Sequence, residues 1–207
     1  MLNKKQITDI TKTKKGNNAL FCGDEFLFSV DDEVLYKNNI SIGSCFTRQE
    51  LACIYKQSND SKAVDRCYTY LSARMHGKKE LYRKLLRHFD ADSARYAVDK
   101  MEELGLVDDE QFARAKARYL FETKKESIKG VRAKLVRLGI DKDVVDSVLS
   151  NFDIQDQTRQ ICTLLQGRYS HRLDSPQKVV AYLVRKGFAF SDIRKAFEIL
   201  DIDIQEY

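Results

Sequence analysis

A chain of 207 residues with 43% apolar content is long enough for one large domain or two or three small ones, and hydrophobic enough to build cores, which excludes a disordered chain. No apolar run approaches the roughly 20 residues that span a bilayer, the start MLNKKQITDI has no apolar h-region, and the five cysteines never fall in a Cys-x-x-Cys spacing. The net charge of +5 is segregated: residues 74–87, 111–140 and 168–195 carry +5, +7 and +5, which leaves −12 for the remainder.

Taken together, these features lead us to expect a soluble protein of the reducing cytosol, without membrane contact, disulfide framework or zinc site. Cys22, Cys45, Cys53, Cys67 and Cys162 are read as small buried apolar residues. The charge segregation points to a positive surface for a polyanion or an acidic protein.

Residues 1–60 read as a small α+β unit. Gly23-Asp24, between Phe21-Cys22 and Glu25-Phe26, has the form of a two-residue hairpin turn, and Phe26, Phe28 and Val30 alternate as a half-buried strand does. Asp31 is placed to cap a short helix through about Lys37, and Ile40 to Phe46 is expected to return as a strand. Thr47-x-x-Glu50 is a capping box for a helix with Leu51, Ile54 and Tyr55 inward, which Ser58-Asn59-Asp60-Ser61 is expected to punctuate.

From Lys62 onward the pattern is helical. Val64, Cys67, Tyr68 and Leu71 form one stripe at helical spacing; Leu81, Leu85 and Phe89 form a second; Ala97, Met101 and Leu104 form a third. A Leu-x-Arg core then recurs at Leu85/Arg87, Leu135/Arg137 and Leu183/Arg185, at spacings of 50 and 48 residues. Each is preceded by a further helix, at about 62–74, 109–124 and 157–168. The expected fold class is mainly α, with three tandem three-helix repeats (61–108, 109–154 and 155–207) in an elongated, curved array after the N-terminal β-hairpin-plus-helix unit.

Catalytic chemistry finds no support. Gly77-Lys78 lacks the glycine, the hydroxyl residue and the strand of a Walker A loop, so Gly77 reads as a helix N-cap with Glu80 in the first turn. His76, His88 and His171 have no metal-ligand spacing with one another or with cysteines. Asp108-Asp109, in "LGLVDDEQFAR", resembles an acid pair, but Gly105 suits a left-handed helix C-cap and Asp108 with Gln111 forms a capping box. Neither cofactor nor metal is expected.

What the helices do offer is basic faces opposite their apolar stripes, as with Arg83, Lys84 and Arg87 or Arg114 and Arg118. Tyr82, Tyr119, Tyr169 and Tyr182 are interleaved with them, either as core residues or as platforms for bases.

The stretches "YLSARMHGKKELYRKL", "ELGLVDDEQFARAKARYL", "GVRAKLVRLGIDKDVVDSVL" and "YLVRKGFAFSDI" look like the successive signatures of the bacterial RecX regulatory proteins, which modulate the RecA recombinase. The likeness covers about residues 62–200. Gly77 departs from it, standing where the family commonly has serine, as does Ser127, near a usual glycine. The resemblance implies a monomeric binding protein with no catalytic residues, lodged in the groove of the RecA filament on single-stranded DNA. There it would inhibit ATP hydrolysis, coprotease action, strand exchange and filament growth.

Candidate contacts for RecA, or for single-stranded or duplex DNA, are Arg83, Lys84 and Arg87 in the first repeat. In the second they are Arg114, Arg118, Lys124, Lys125, Lys129, Arg132, Lys134 and Arg137, and in the third Lys178, Arg185 and Lys186. Gly105, Asp108, Asp109, Gly139 and Gly187 form the structural signature. The competing expectation is a helical-repeat module that acts by covering DNA, with no RecA-specific role.

Overall fold

The computed structural model describes residues 4–152, 157–170 and 175–202 in full and the backbone of 154–156. Two units are distinguished, one of residues 1–75 and 81–107 and the other of residues 76–80 and 108–207.

In the first unit, the Gly23-Asp24 turn joins β3 (Asn18–Cys22) to β4 (Glu25–Val30), and β2 (Asp9–Lys12) adds on the far side of β3 in an antiparallel sheet. The register shifts beside Leu20 and Phe21, so that Leu20 faces Phe28 and Phe21 faces Phe26. After that bulge, Phe28 and Val30 are buried while Phe26 is exposed against Phe21. β1 (Lys4–Gln6) and β2 are short and largely exposed, and no alternation announces them.

β1 pairs with β5 (Cys45–Thr47), a shorter strand than expected from Ile40 onward. The chain turns first, with Asn39 and Gly43 at φ 49° and 94° and Ser44 Oγ accepting from the Ser41 N–H at 3.1 Å. Helix α1 (Asp32–Lys37) starts as expected, with Asp31 Oδ1 accepting from the Val34 N–H at 2.7 Å.

Helix α2 (Arg48–Ala73) opens on the Thr47/Glu50 capping box, both halves of which are made. It corrects one expectation, because it runs unbroken through Ser58-Asn59-Asp60-Ser61. Ser58 Oγ donates to the Ser29 carbonyl at 2.8 Å, Lys62 donates to the same carbonyl, and Lys56 pairs with Asp60 one turn on. Polar side chains that break a helix by competing for its backbone instead find partners elsewhere.

The long helix serves two cores. Leu51 and Ile54 join Ile7, Leu20, Phe28, Val30, Val34 and Ile40, while Ala63 and Cys67 join Leu81, Leu85, Ala94, Ala97, Val98, Met101 and Val107. The latter core is completed by residues 81–85 of α3 (Lys78–Leu85) and by α4 (Ala91–Glu103). Gly105, at φ 68°, ends α4 in a Schellman turn, its N–H donating to Glu102 O and that of Leu106 to Met101 O. Of the apolar pair that follows, only Val107 is buried in the core; Leu106 is 49% exposed.

In the second unit, α5 (Asp109–Arg118) runs into a π-helical turn (Tyr119–Thr123) and is followed by α6 (Ile128–Leu138) and α7 (Lys142–Leu149). Phe112, Ala113, Ala117, Leu120, Phe121, Val131, Leu135, Ile140, Val145, Val148 and Leu149 form their core. Helices α8 (Ile154–Gln166), α9 (Pro176–Arg185) and α10 (Phe190–Ile199) bury Ile161, Leu165, Tyr169, Leu183, Ile193 and Phe197 in another.

Polar residues join the two cores. Ser127 caps α6 by accepting from the Gly130 N–H and donates to the Lys186 carbonyl at 2.8 Å. The next free donor of α6, the Ile128 N–H, reaches Gln157 Oε1 at 2.9 Å, and Gln157 Nε2 donates to the buried Asp192.

A matching joint lies 50 residues earlier. The Lys78 N–H donates to Asp109 Oδ1 at 2.8 Å, and Gly77 sits where a Cβ would press on Asp109, Phe112 and Ile140. Gly77 and Ser127 are thus equivalent positions: the side-chain acceptor comes from the first helix of the following module in both.

Among the cysteines only Cys67 is fully buried, its thiol pushed up to about 11 by desolvation; Cys45 and Cys53 are exposed, contrary to expectation. Each occupies an outward position on its strand or helix.

Candidate interaction surface

The two adjacent carboxylates serve as caps rather than as an acid pair. Asp108 Oδ1 accepts from the Glu110 and Gln111 N–H groups at 2.8 and 3.0 Å, while Asp109 accepts from Lys78. The Gln111 N–H foremost, with Glu110, the Gln111 side chain and Lys78, holds the Asp108 carboxyl below the usual carboxylate range.

Asp108→Ala is expected to cost about 1 kcal/mol in urea unfolding. Because the native pKa is depressed, the charge-dependent part of that stability is present above the unfolded-state value of about 3.9. It is lost as pH falls through the lower native value, so the gap to wild type narrows in acid.

The basic candidates fall into two groups. Four carry partners on their own surface: Arg114 with Glu110, Arg118 with Glu122 at 3.8 Å, Arg132 with Asp146, and Lys134 with Glu126 at 2.6 Å. Lys186 reaches the same Glu126 at 4.0 Å. With described residues, no ion pair is found for Arg83, Arg87, Lys125, Lys129, Arg137, Lys178 or Arg185. Exposed intrahelical pairs are weak, of order 0.3–0.5 kcal/mol, so a competing anion separates them readily.

The tyrosines divide as well. Tyr169 is buried and Tyr182 half-buried, with ring centroids 5.3 Å apart. The Tyr169 side chain foremost, then Lys186 and Arg168, holds the Tyr182 phenol below its ordinary range, and Arg185 and Lys186 lie over the Tyr182 ring. Tyr119 is exposed between Lys116 and Lys124, both within 5.5 Å of its ring centroid. Lys84 packs over Tyr70 at 4.7 Å.

The structure adds one feature that periodicity missed. In each Leu-x-Arg core the leucine is fully buried, but the middle residue faces outward: Leu86, Val136 and Val184 are 43%, 41% and 47% exposed. Each is followed by an exposed arginine, Arg87, Arg137 or Arg185. The signal was present in the sequence as an apolar residue off the core stripe at the same place in three repeats. Arginine is enriched among the energetically dominant contacts of protein interfaces, and the exposed apolar neighbour adds area that a partner can bury.

Among the described residues no helix is long and apolar enough to cross a membrane.

Comparison with known proteins gives matches along the chain. The family model described as RecX, first three-helix domain, matches residues 63–101, and that of RecX, second three-helix domain, matches residues 108–149. The protein named Regulatory protein RecX of Bacillus subtilis is 27% identical over 97% of this chain and 79% of its own length. Its namesake from Bacillus licheniformis is 28% identical over 95% of this chain and 78% of its own.

Among solved structures, one titled as regulatory protein RecX superposes with a TM-score of 0.70 at 22% identity, covering 96% of this chain and 99% of that one. RecX from Lactobacillus salivarius superposes with a TM-score of 0.61 at 26% identity, over 70% of this chain and 98% of its own.

Proposed function

The chain belongs to the RecX family, and on that premise we propose that it regulates a RecA-type recombinase by binding the protein filament formed on single-stranded DNA. The observation that carries the reading to particular residues is the outward apolar-arginine pair repeated once in each module. A protein that meets one partner surface needs one such contact. A protein that meets successive copies of the same subunit benefits from one per repeat, because linked contacts raise the effective concentration of each other.

The cations of α3, α6 and α9 then supply the charge complement to acidic groups of the filament or to the DNA phosphates within it. Bridging neighbouring subunits restrains the movements that accompany ATP hydrolysis and strand exchange, and a bound copy at the filament end blocks addition of the next subunit. The protein acts by binding, with no catalytic group of its own, in the cytosol where its partner works.

Titration of the protein, substoichiometric to RecA, into a reaction hydrolysing ATP on single-stranded DNA is expected to depress turnover and shorten filaments seen by electron microscopy. Unchanged turnover together with unchanged filament length would overturn the reading.

A further inference from the structure

Between the π-helical turn and α8, within the second unit, lies a cleft of about 460 Å³, inside the range that holds small ligands. Its buried floor is made by Phe121 and Gln160, with Phe152 edge-on to Phe121 at a centroid distance of 5.0 Å. Among the described residues that line it, Lys125 and the exposed Arg118 and Arg159 stand beside one acid, Glu122, which pairs with Arg118 at 3.8 Å.

Gln160 is 5% exposed, and its Nε2 donates to the Phe121 carbonyl, which the π-helical turn leaves to an outside donor. That bond sets the amide orientation, because the flipped amide would place oxygen against oxygen. The atom left over is therefore an acceptor, and Gln160 Oε1 has no hydrogen-bond partner in the described structure. A buried acceptor of this kind favours an occupant with an N–H donor.

We infer that this cleft is a binding site for one nucleotide of a single strand, its base entering beside Phe152 with a ring or amino N–H to Gln160 Oε1 and its phosphates beside Lys125 and Arg118. Aromatic side chains and surrounding cations are the elements of base-stacking single-strand sites, and the buried unpaired acceptor adds a hydrogen-bond partner for the base. An acidic peptide satisfies the cations and the acceptor but makes no use of the aromatic pair. Oε1 is fully covered in this structure, so a side chain of the rim must move aside for the base to reach it. The site is independent of any recombinase, and so is its test.

The full chain is titrated with a fluorescent single-stranded 12-mer and with the same 12-mer carrying abasic sites, and binding is followed by anisotropy at fixed salt. Wild type is expected to prefer the base-bearing strand by about tenfold. Gln160→Leu and Phe152→Leu reduce that preference towards unity while leaving affinity for the abasic strand in place, and Lys125→Glu weakens both strands.

Thermal unfolding confirms that each variant is folded; if a core variant is not, Lys125→Glu and the wild-type strand preference decide. Equal binding of the two strands by wild type, an unchanged preference in folded Gln160→Leu, or capture of an acidic peptide in place of the 12-mer each overturns the proposal.

Discussion

Replacing Gly139 with alanine is expected to destabilise the second unit by about 3 kcal/mol in urea unfolding followed by circular dichroism, the largest single-residue effect anticipated here. Two terms add. Gly139 ends α6 at φ 95°, with its N–H on the Val136 carbonyl and that of Ile140 on Leu135, a left-handed conformation that costs an L-residue roughly 1–2 kcal/mol. A Cβ there would also lie 2.6 and 2.8 Å from Cδ and Cβ of Lys79. The Cβ moves only with the backbone of α3, so this second term is overpacking of about 1–3 kcal/mol.

Gly16→Ala isolates the first term. Gly16 has φ 86° but nothing within 4 Å of an added Cβ, and its alanine variant is expected to lose only about 1 kcal/mol. Equal losses at the two glycines would show that residues 78–80 do not press on the α6 end as the structure has them.

Reversing Arg87, Arg137 and Arg185 to glutamate in one protein is expected to raise the concentration needed for half-inhibition of the RecA ATPase by at least about tenfold, with the fold intact. Leu86→Ser, Val136→Ser and Val184→Ser, made together, act in the same direction without altering charge. All six positions are exposed and none of the three arginines has an ion pair with described residues, so circular dichroism should be unchanged in both triples.

The control is Arg95→Glu, Lys142→Glu and Lys195→Glu, three exposed cations outside the repeated motif. If the control triple inhibits as poorly as the arginine triple, net charge rather than the motif governs the effect, and the chain behaves as a polyanion binder. Arg132 and Lys134 are poorer probes, because their reversal breaks pairs with Asp146 and Glu126 inside the fold.

Much of the fold was legible because its signals are local. Asp31, Thr47 and Asp108 cap helices through bonds to backbone N–H groups two or three residues on, and such bonds depend on nothing beyond one helical turn. The buried leucines of the three Leu-x-Arg cores followed from the 3.6-residue period. The basic character of these helices was legible by composition but their ion pairs were not, since a lysine's partner eight residues away and across a loop, as with Lys134 and Glu126, leaves no periodic trace.

By itself, then, the sequence determined most inward helix positions, though Tyr55, Tyr68 and Leu104 of the expected stripes are exposed, together with helix caps, the hairpin at Gly23-Asp24 and the three-fold recurrence of one module. The tertiary structure decided what those local rules leave open. Ser58 and Lys62 keep α2 continuous because their acceptor, Ser29, lies about thirty residues upstream. Asp109 and Gln157 complete helix starts 31 and 29 residues before them. Gln160 holds a carbonyl of the π-helical turn and keeps one acceptor unpaired. A buried donor takes whichever acceptor packing brings within reach, so these partners follow from the assembled fold and not from the order of residues along the chain.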